Sequence, residues 1–318
     1  MTRLIAFVFS MILPVLGLAQ EFPSKPVRFI TGAAPGSTGD VLARVLGEAL
    51  SAGWKQAAVI DNRPGGGGVI ASSAVLGAPA DGHTVFIAAG SYMTITPWTV
   101  ASIPYDVDKD FKPIAFIAEI PLVITARTDA PYRTVQEFIG YAKANPGKVN
   151  YAANSPGTFP NLATEYFAER AGVKLNYVPY KGTAAALPDV IAGRIDVLVE
   201  GSAAVGGAIR GGQLRPLVVT STGRDPTLPQ VPAAAELIPG FSAIGFFAVF
   251  AHGATPEPIA AKLSDDFRQA LARPDVGKRF ADTGNYVKPM SREELTAFVR
   301  KEREIWGSVI KRMGFTAK

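Results

Sequence analysis

Ten short apolar runs, separated almost everywhere by stretches of helical period, constrain this 318-residue chain more than any other feature. In order they read VRFIT, AVIDN, TVFIAA, PIAFIAEI, LVITA, KVNYAA, KLNYVPY, IDVLVE, LRPLVVTS and GFFAVFAH. Apolar runs of roughly four to eight residues are strand-sized, and strands alternating with helices predict an α/β architecture with largely parallel sheets. In such sheets ligands collect at the carboxyl ends of the strands. Hydroxyls followed by acids or proline mark helix starts at Thr134 (TVQE), Thr255 (TPEP) and Ser291 (SREE). From Pro256 onward the pattern is helical, which predicts a tail packed back on an earlier domain.

The first nineteen residues, MTRLIAFVFSMILPVLGLA, carry one early charge at Arg3, an apolar stretch from Leu4 to Leu18, and small residues at Gly17 and Ala19. This is the pattern of a secretory signal peptide cleaved near Ala19, and Pro14 and the short run argue against a membrane anchor. The exported chain would begin near Gln20 and work in a bacterial periplasm as a monomer. With no cysteine there is no disulfide framework, thiolate nucleophile, cysteine metal site or lipidation site, and the sequence predicts neither metal nor cofactor. Losing Arg3 lowers the formal net charge from +5 to +4. The basic residues are spread along the chain or interleaved with acids, as in RKEREIWGSVIKR, which speaks against nucleic acid; a mild positive field would gather small anions.

Two places read as crossings between lobes: KPIAFIAEIPLVITA, where apolar runs meet at Pro121, and the stretch from LRPLVVTS through RDPTLPQVPAAAELIPG. They divide the exported chain into a discontinuous lobe one, residues 20–120 and 223–318, and a lobe two, residues 121–222. No internal repeat stands out.

The stretch GAAPGSTGDVLAR follows the first strand. Ser37 to Asp40 spells S-x-x-D, a capping-box pattern, at a helix start whose first amides are unpaired and sit at the positive end of the helix dipole. Either a capped turn or an anion site fits it. A P-loop does not, because no Lys-Ser or Lys-Thr pair follows, here or after PGGGG at residues 64–68. Two sister turns, ANSPGTFPNLA and PYKGTAAAL, follow later strands. Three strand–turn–helix loops on both sides of a lobe crossing are what an interlobe carboxylate site requires.

FPSKPVRFI, PGSTGDVLAR, NRPGGGGVIA, ADGHTVFIA, PYDVDKDFKPIA, KANPGKVNYA, VPYKGTAAALPDVIAGRIDVL and LRPLVVTS together resemble, in order, the signatures of the Bug family, the periplasmic solute-binding receptors of tripartite tricarboxylate transporters. The resemblance implies a two-lobed periplasmic-binding-protein fold, type II-like, which closes on a small carboxylate, a dicarboxylate or an aromatic carboxylate, and delivers it to membrane permease subunits. It carries ligand-binding roles to Pro35, Gly36, Ser37, Thr38 and Asp40 in the first loop and to Ser91, Tyr92 and Thr94 after the third strand. In lobe two it points to Ser155, Gly157, Thr158 and Phe159, then Lys181, Gly182, Thr183 and Ala184, with Glu200 ending IDVLVE. Asn161 stands where the family commonly has histidine, and Phe159 with Pro160 enters a usually polar stretch, which favours an apolar or aromatic ligand body. Pro188 falls inside the helix after Thr183 and removes one of its hydrogen bonds. Arg63 reads as a structural tie. A sensor feeding a signalling partner would share the same cleft. An exported hydrolase would have to draw on His83 and His252 alone, with no G-x-S-x-G elbow.

Overall fold

A computed structural model describes residues 22–153, 157–180 and 183–315; the expected signal peptide lies outside them. The ten apolar runs form ten strands: β1 (Val27–Thr31), β2 (Ala58–Asn62), β3 (Thr84–Ala89), β4 (Phe111–Ile120), β5 (Leu122–Arg127), β6 (Asn150–Ala153), β7 (Asn176–Pro179), β8 (Val197–Gly201), β9 (Leu214–Val219) and β10 (Gly245–His252). They build two five-stranded sheets, ordered β2-β1-β3-β10-β4 and β7-β6-β8-β5-β9. The fold is α/β and two-lobed.

Period-two alternation explains why both faces of each sheet are covered. In β1 and β3, Val27, Phe29, Val85 and Ile87 face one core, shared with helices Thr38–Trp54 and Glu257–Leu271. Ile30, Phe86 and Ala88 face another on the opposite side. The second sheet divides likewise, with Ile124, Tyr151 and Val197 on one face and Val123, Ala152 and Leu198 on the other.

Strand direction brings the functional loops to one edge of each sheet. β1, β2 and β3 are parallel, and β10 runs against β3 and β4. The carboxyl ends of β1, β3 and β4 therefore share an edge with the start of β10. In the second sheet β6, β7 and β8 are parallel and β5 runs against β8 and β9, so the ends of β6 to β9 share an edge with the start of β5. The chain leaves the first sheet at Ile120 and enters the second at Leu122, and returns between Val219 and Gly245, each time at these edges.

Packing groups the return segment with the second sheet. Leu228, Val231 and Ala233 join one of its cores, and Ala234, Ile238, Phe241 and Ala243 the other, although the sequence placed residues 223–244 with lobe one. The C-terminal helix Arg292–Arg312 touches both lobes: Leu295 and Val299 pack on the first sheet, Trp306, Val309 and Ile310 on the second.

Two of the marked helix starts take the form expected. The Thr134 hydroxyl accepts from the Glu137 amide at 3.2 Å, and Ser291 and Glu294 form a reciprocal capping box. Thr255 does not cap its helix: Pro256 holds that position, and the Thr255 hydroxyl is buried without a hydrogen-bond partner among the described residues. Pro188 sits inside the helix Thr183–Ile191. No described helix is long and apolar enough to cross a membrane.

Candidate functional site

At the end of β1 the chain turns through Gly36, whose φ of +78° is open to glycine and strained for other residues. Ser37 is extended and the helix begins at Thr38. The capping box expected from S-x-x-D does not form. The Ser37 hydroxyl donates to the Ala34 carbonyl at 2.7 Å, and the Asp40 carboxylate reaches past Ser37 to accept the Gly36 amide at 2.9 Å. Asp40 is buried and also accepts from Arg44 Nε and from the Asn62 side-chain amide, each at 2.9 Å. The Arg44 guanidinium, with the Gly36 amide and Asn62, holds the Asp40 carboxyl down at about 2 against the opposing effect of burial. Asp40 is thus a brace for the loop. Residues 34–38 are exposed, and the Thr38 and Gly39 amides have no acceptor among the described residues. Arg63 pairs with Asp61, two residues earlier in β2, at 3.0 Å.

The loop after β6 repeats this construction. Gly157 has a φ of +77°, Thr158 is extended, and the helix Phe159–Ala171 follows. The Gly157 amide donates to Asn161 Oδ1 at 3.0 Å, as Gly36 donates to Asp40. Asn161 in turn donates to the Tyr151 hydroxyl at 2.9 Å, and Tyr151 donates to Glu165. Burial, then the Glu165 carboxylate, push the Tyr151 phenol far above its ordinary range. Both loops spell P-G-[ST]-x-x-[DN], PGSTGD at 35–40 and PGTFPN at 156–161, and occupy equivalent places in sheets of the same strand order. The two lobes therefore repeat one loop and one strand order, a likeness too short to stand out in the sequence.

Between the two sheet edges lies a cavity of about 490 Å³. Ser91 and Tyr92 line it from lobe one, and Gly157, Thr158 and Phe159 from lobe two. A smaller space of about 110 Å³ adjoins it, reached by Ser91, Thr94, Phe159, Gly245 and Trp306. Tyr92 stacks on Phe86, with ring centroids 6.1 Å apart, and lies across Gly32 and Gly68. A β-carbon at Gly68 would come within 2.3 Å of that ring, and one at Gly32 within 2.7 Å. Burial raises the Tyr92 phenol, which keeps it a neutral donor. The Ser91 and Tyr92 hydroxyls have no hydrogen-bond partner among the described residues, whereas Thr94, buried, donates to the Gly90 carbonyl at 3.0 Å.

The remaining expected residues are placed less directly. Pro35 to Asp40 line neither cavity, and nor do Thr183 and Ala184, which open the helix after β7. Glu200 is buried near the end of β8, opposite Val123. Ser155, Lys181 and Gly182 lie outside the described residues. Sequence reasoning missed Gly67, Ile95, Thr96, Thr99, Val100 and Phe315, all of which line the larger cavity. Only the PGGGG run at 64–68 had flagged one of them.

Known proteins share this fold. Residues 42–315 match the family described as Tripartite tricarboxylate transporter family receptor. Protein BugT of Bordetella pertussis is 33% identical over 325 residues, covering 100% of this chain and 99% of its own length. An R. palustris protein solved with adipate is 30% identical, with a TM-score of 0.82 over 94% of this chain and all of that one. MatC of Rhodopseudomonas palustris, solved with bound malate, is also 30% identical, with a TM-score of 0.76 over 91% of this chain and all of that one. With its two sheets of matching order, its twin glycine loops and a family match across most of its length, this chain belongs to the tripartite tricarboxylate transporter receptor family of Bug-type solute-binding proteins.

Proposed function

We propose that the protein is a monomeric periplasmic receptor that captures a small carboxylate between its lobes and passes it to the membrane permease subunits of a tripartite transporter. The observation that carries this reading is a cavity of ligand size at the facing sheet edges, lined from lobe one by the Ser91 and Tyr92 hydroxyls and from lobe two by the P-G-[ST] loop at Gly157 and Thr158, with the matching loop of lobe one at the same edge. Free amides at the start of the helix Thr38–Trp54 and the hydroxyls of Ser91 and Tyr92 would receive the carboxylate. Lobe two would close on it through Gly157, Thr158 and Phe159 and through the loop containing Lys181, Gly182 and Thr183. The adipate and malate held by two relatives support a carboxylate as the class of ligand.

Binding without catalysis is part of the proposal. His83 precedes β3 and His252 ends β10, which puts both imidazoles at the sheet edge away from the cleft. His83 accepts from the Ser24 amide at 3.2 Å and His252 from the Ala254 amide at 3.0 Å.

The test is a thermal-shift screen of the purified chain against aliphatic dicarboxylates, tricarboxylates and aromatic carboxylates. A ligand that binds only the folded state raises the melting temperature, by about 2.7 kcal/mol of stabilisation at a hundred times Kd. No response to any carboxylate would overturn the reading.

A further inference from the structure

We infer that the ligand is a monocarboxylate with a flat apolar body, and that Phe315, next to the C-terminus, is a specificity-determining wall of its cavity. This deepens the carboxylate-receptor reading and rests on it.

The argument begins at the end of the C-terminal helix. Gly314 takes a φ of +64° and its amide donates to the Lys311 carbonyl at 3.2 Å, while the Phe315 amide donates to the Ile310 carbonyl at 3.2 Å. These two bonds make a Schellman turn, which folds the residue after the glycine back onto the helix. Phe315 is thereby half-buried against the core of lobe two and set on the Gly157 loop. A β-carbon at Gly157 would lie 2.9 Å from the Phe315 ring, so that glycine admits the ring as well as its own positive φ. Phe159, the second aromatic wall, is held edge-on by Trp306 at 5.5 Å between centroids.

The described lining offers no partner for a second charge. No Lys, Arg, His, Asp or Glu is among the described residues that line the larger cavity. Two of its hydroxyls are already committed, Thr96 to the Gly67 carbonyl at 2.7 Å and Thr99 to the Ile95 carbonyl at 3.3 Å. Ile95, Val100, Phe159 and Phe315 supply the rest of the surface near them. A carboxylate placed among these groups would be desolvated without a partner, which is strongly unfavourable. One carboxylate at the Ser91 and Tyr92 end, followed by an aromatic or compact apolar body between the Phe159 and Phe315 rings, matches this lining.

Calorimetric titration of the purified chain with benzoate, phenylacetate and 3-phenylpropanoate, against adipate and malate, tests the inference. At least one aromatic acid should bind ten times more tightly than either dicarboxylate. Phe315→Ala should weaken that aromatic acid about tenfold, and Phe315→Leu, which keeps apolar volume but not the flat face, by less. The melting temperature of each unliganded variant, within a few degrees of the parent, separates a lost wall from a lost fold. Tighter binding of adipate or malate overturns the inference and leaves the receptor reading intact, as does an aromatic affinity untouched by Phe315→Ala. Binding of none of the five acids overturns the inference, and silence across the wider carboxylate screen overturns the receptor reading as well.

Discussion

Replacing Asp40 by alanine isolates the part of the first loop that sequence alone misassigned. The carboxylate accepts three hydrogen bonds, from Gly36, Arg44 and Asn62, and its pKa of about 2 lies below the ordinary 3.8. A shift of that size corresponds to roughly 2.4 kcal/mol. The Arg44 side chain is 56% exposed, so solvent screening reduces the usable part to about 1–2 kcal/mol. Alanine also leaves the half-buried Asn62 amide short of an acceptor, which brings the expected loss at neutral pH to about 2 kcal/mol. For a chain of this size that is a fall of roughly 3 °C in melting temperature. The pH dependence has a definite sign. Because the folded-state pKa is depressed, the contribution is whole above about pH 4 and fades as the pH falls through about 2. Melting curves of Asp40→Ala and the parent should therefore converge on acidification between those values. Ligand affinity should fall too, since the Gly36 amide loses its anchor and the loop its fixed shape. A variant that melts within a degree of the parent at pH 7 and binds equally well would refute the bracing role.

The remaining predictions concern the cavity and the helix that spans the lobes. Tyr92→Phe keeps the stack on Phe86 and removes only the unpartnered hydroxyl, so the unliganded melting temperature should hold while carboxylate affinity drops about tenfold or more by calorimetry. Glu302, buried in the C-terminal helix and accepting from the Trp306 indole at 3.1 Å, has its carboxyl pushed by burial from 4.5 up to about 7. A raised folded-state pKa favours the neutral form, so stability is greatest below about pH 4.5 and declines as the pH rises through about 7. Glu302→Gln should accordingly melt higher than the parent at pH 8, by up to about 3 kcal/mol of stabilisation, with the advantage vanishing near pH 5.

The ten strands were legible because their period of two is enforced by burial on both faces: Phe29 and Ile30, neighbours in sequence, serve different cores. Ser291 was legible as a cap because its partner, Glu294, lies within one helical turn. Asp40 satisfies the same spacing rule as Glu294 and yet behaves differently. A positive φ at Gly36 presents that residue's amide to the carboxylate, and Asn62 from the neighbouring strand completes the site. Neither the dihedral nor the cross-strand partner can be read from four consecutive letters. Phe315 was missed for a related reason. Its position follows from a Schellman turn at the far end of the chain, and the loop it touches lies about 160 residues earlier.

The twin loops show how one scaffold can present different chemistry from its two lobes. Both fix a glycine amide on a buried acceptor four residues later, Asp40 in one and Asn161 in the other, and so both hold the opening of a helix toward the cleft. The two residues after the cap position differ. Thr38 and Gly39 keep lobe one small and rich in amide donors, with the dipole of a 17-residue helix behind them. Phe159 and Pro160 do the opposite in lobe two. Proline carries no N–H, and the phenyl ring reaches across to Gly245 of β10, where a β-carbon would come within 3.0 Å. An acceptor with a full charge at Asp40 and a neutral one at Asn161 fits the same division, because only the first loop has an arginine, Arg44, to balance a buried carboxylate. A ligand polar at one end and apolar at the other matches this asymmetry, with its carboxylate toward lobe one and its body against Phe159 and Phe315.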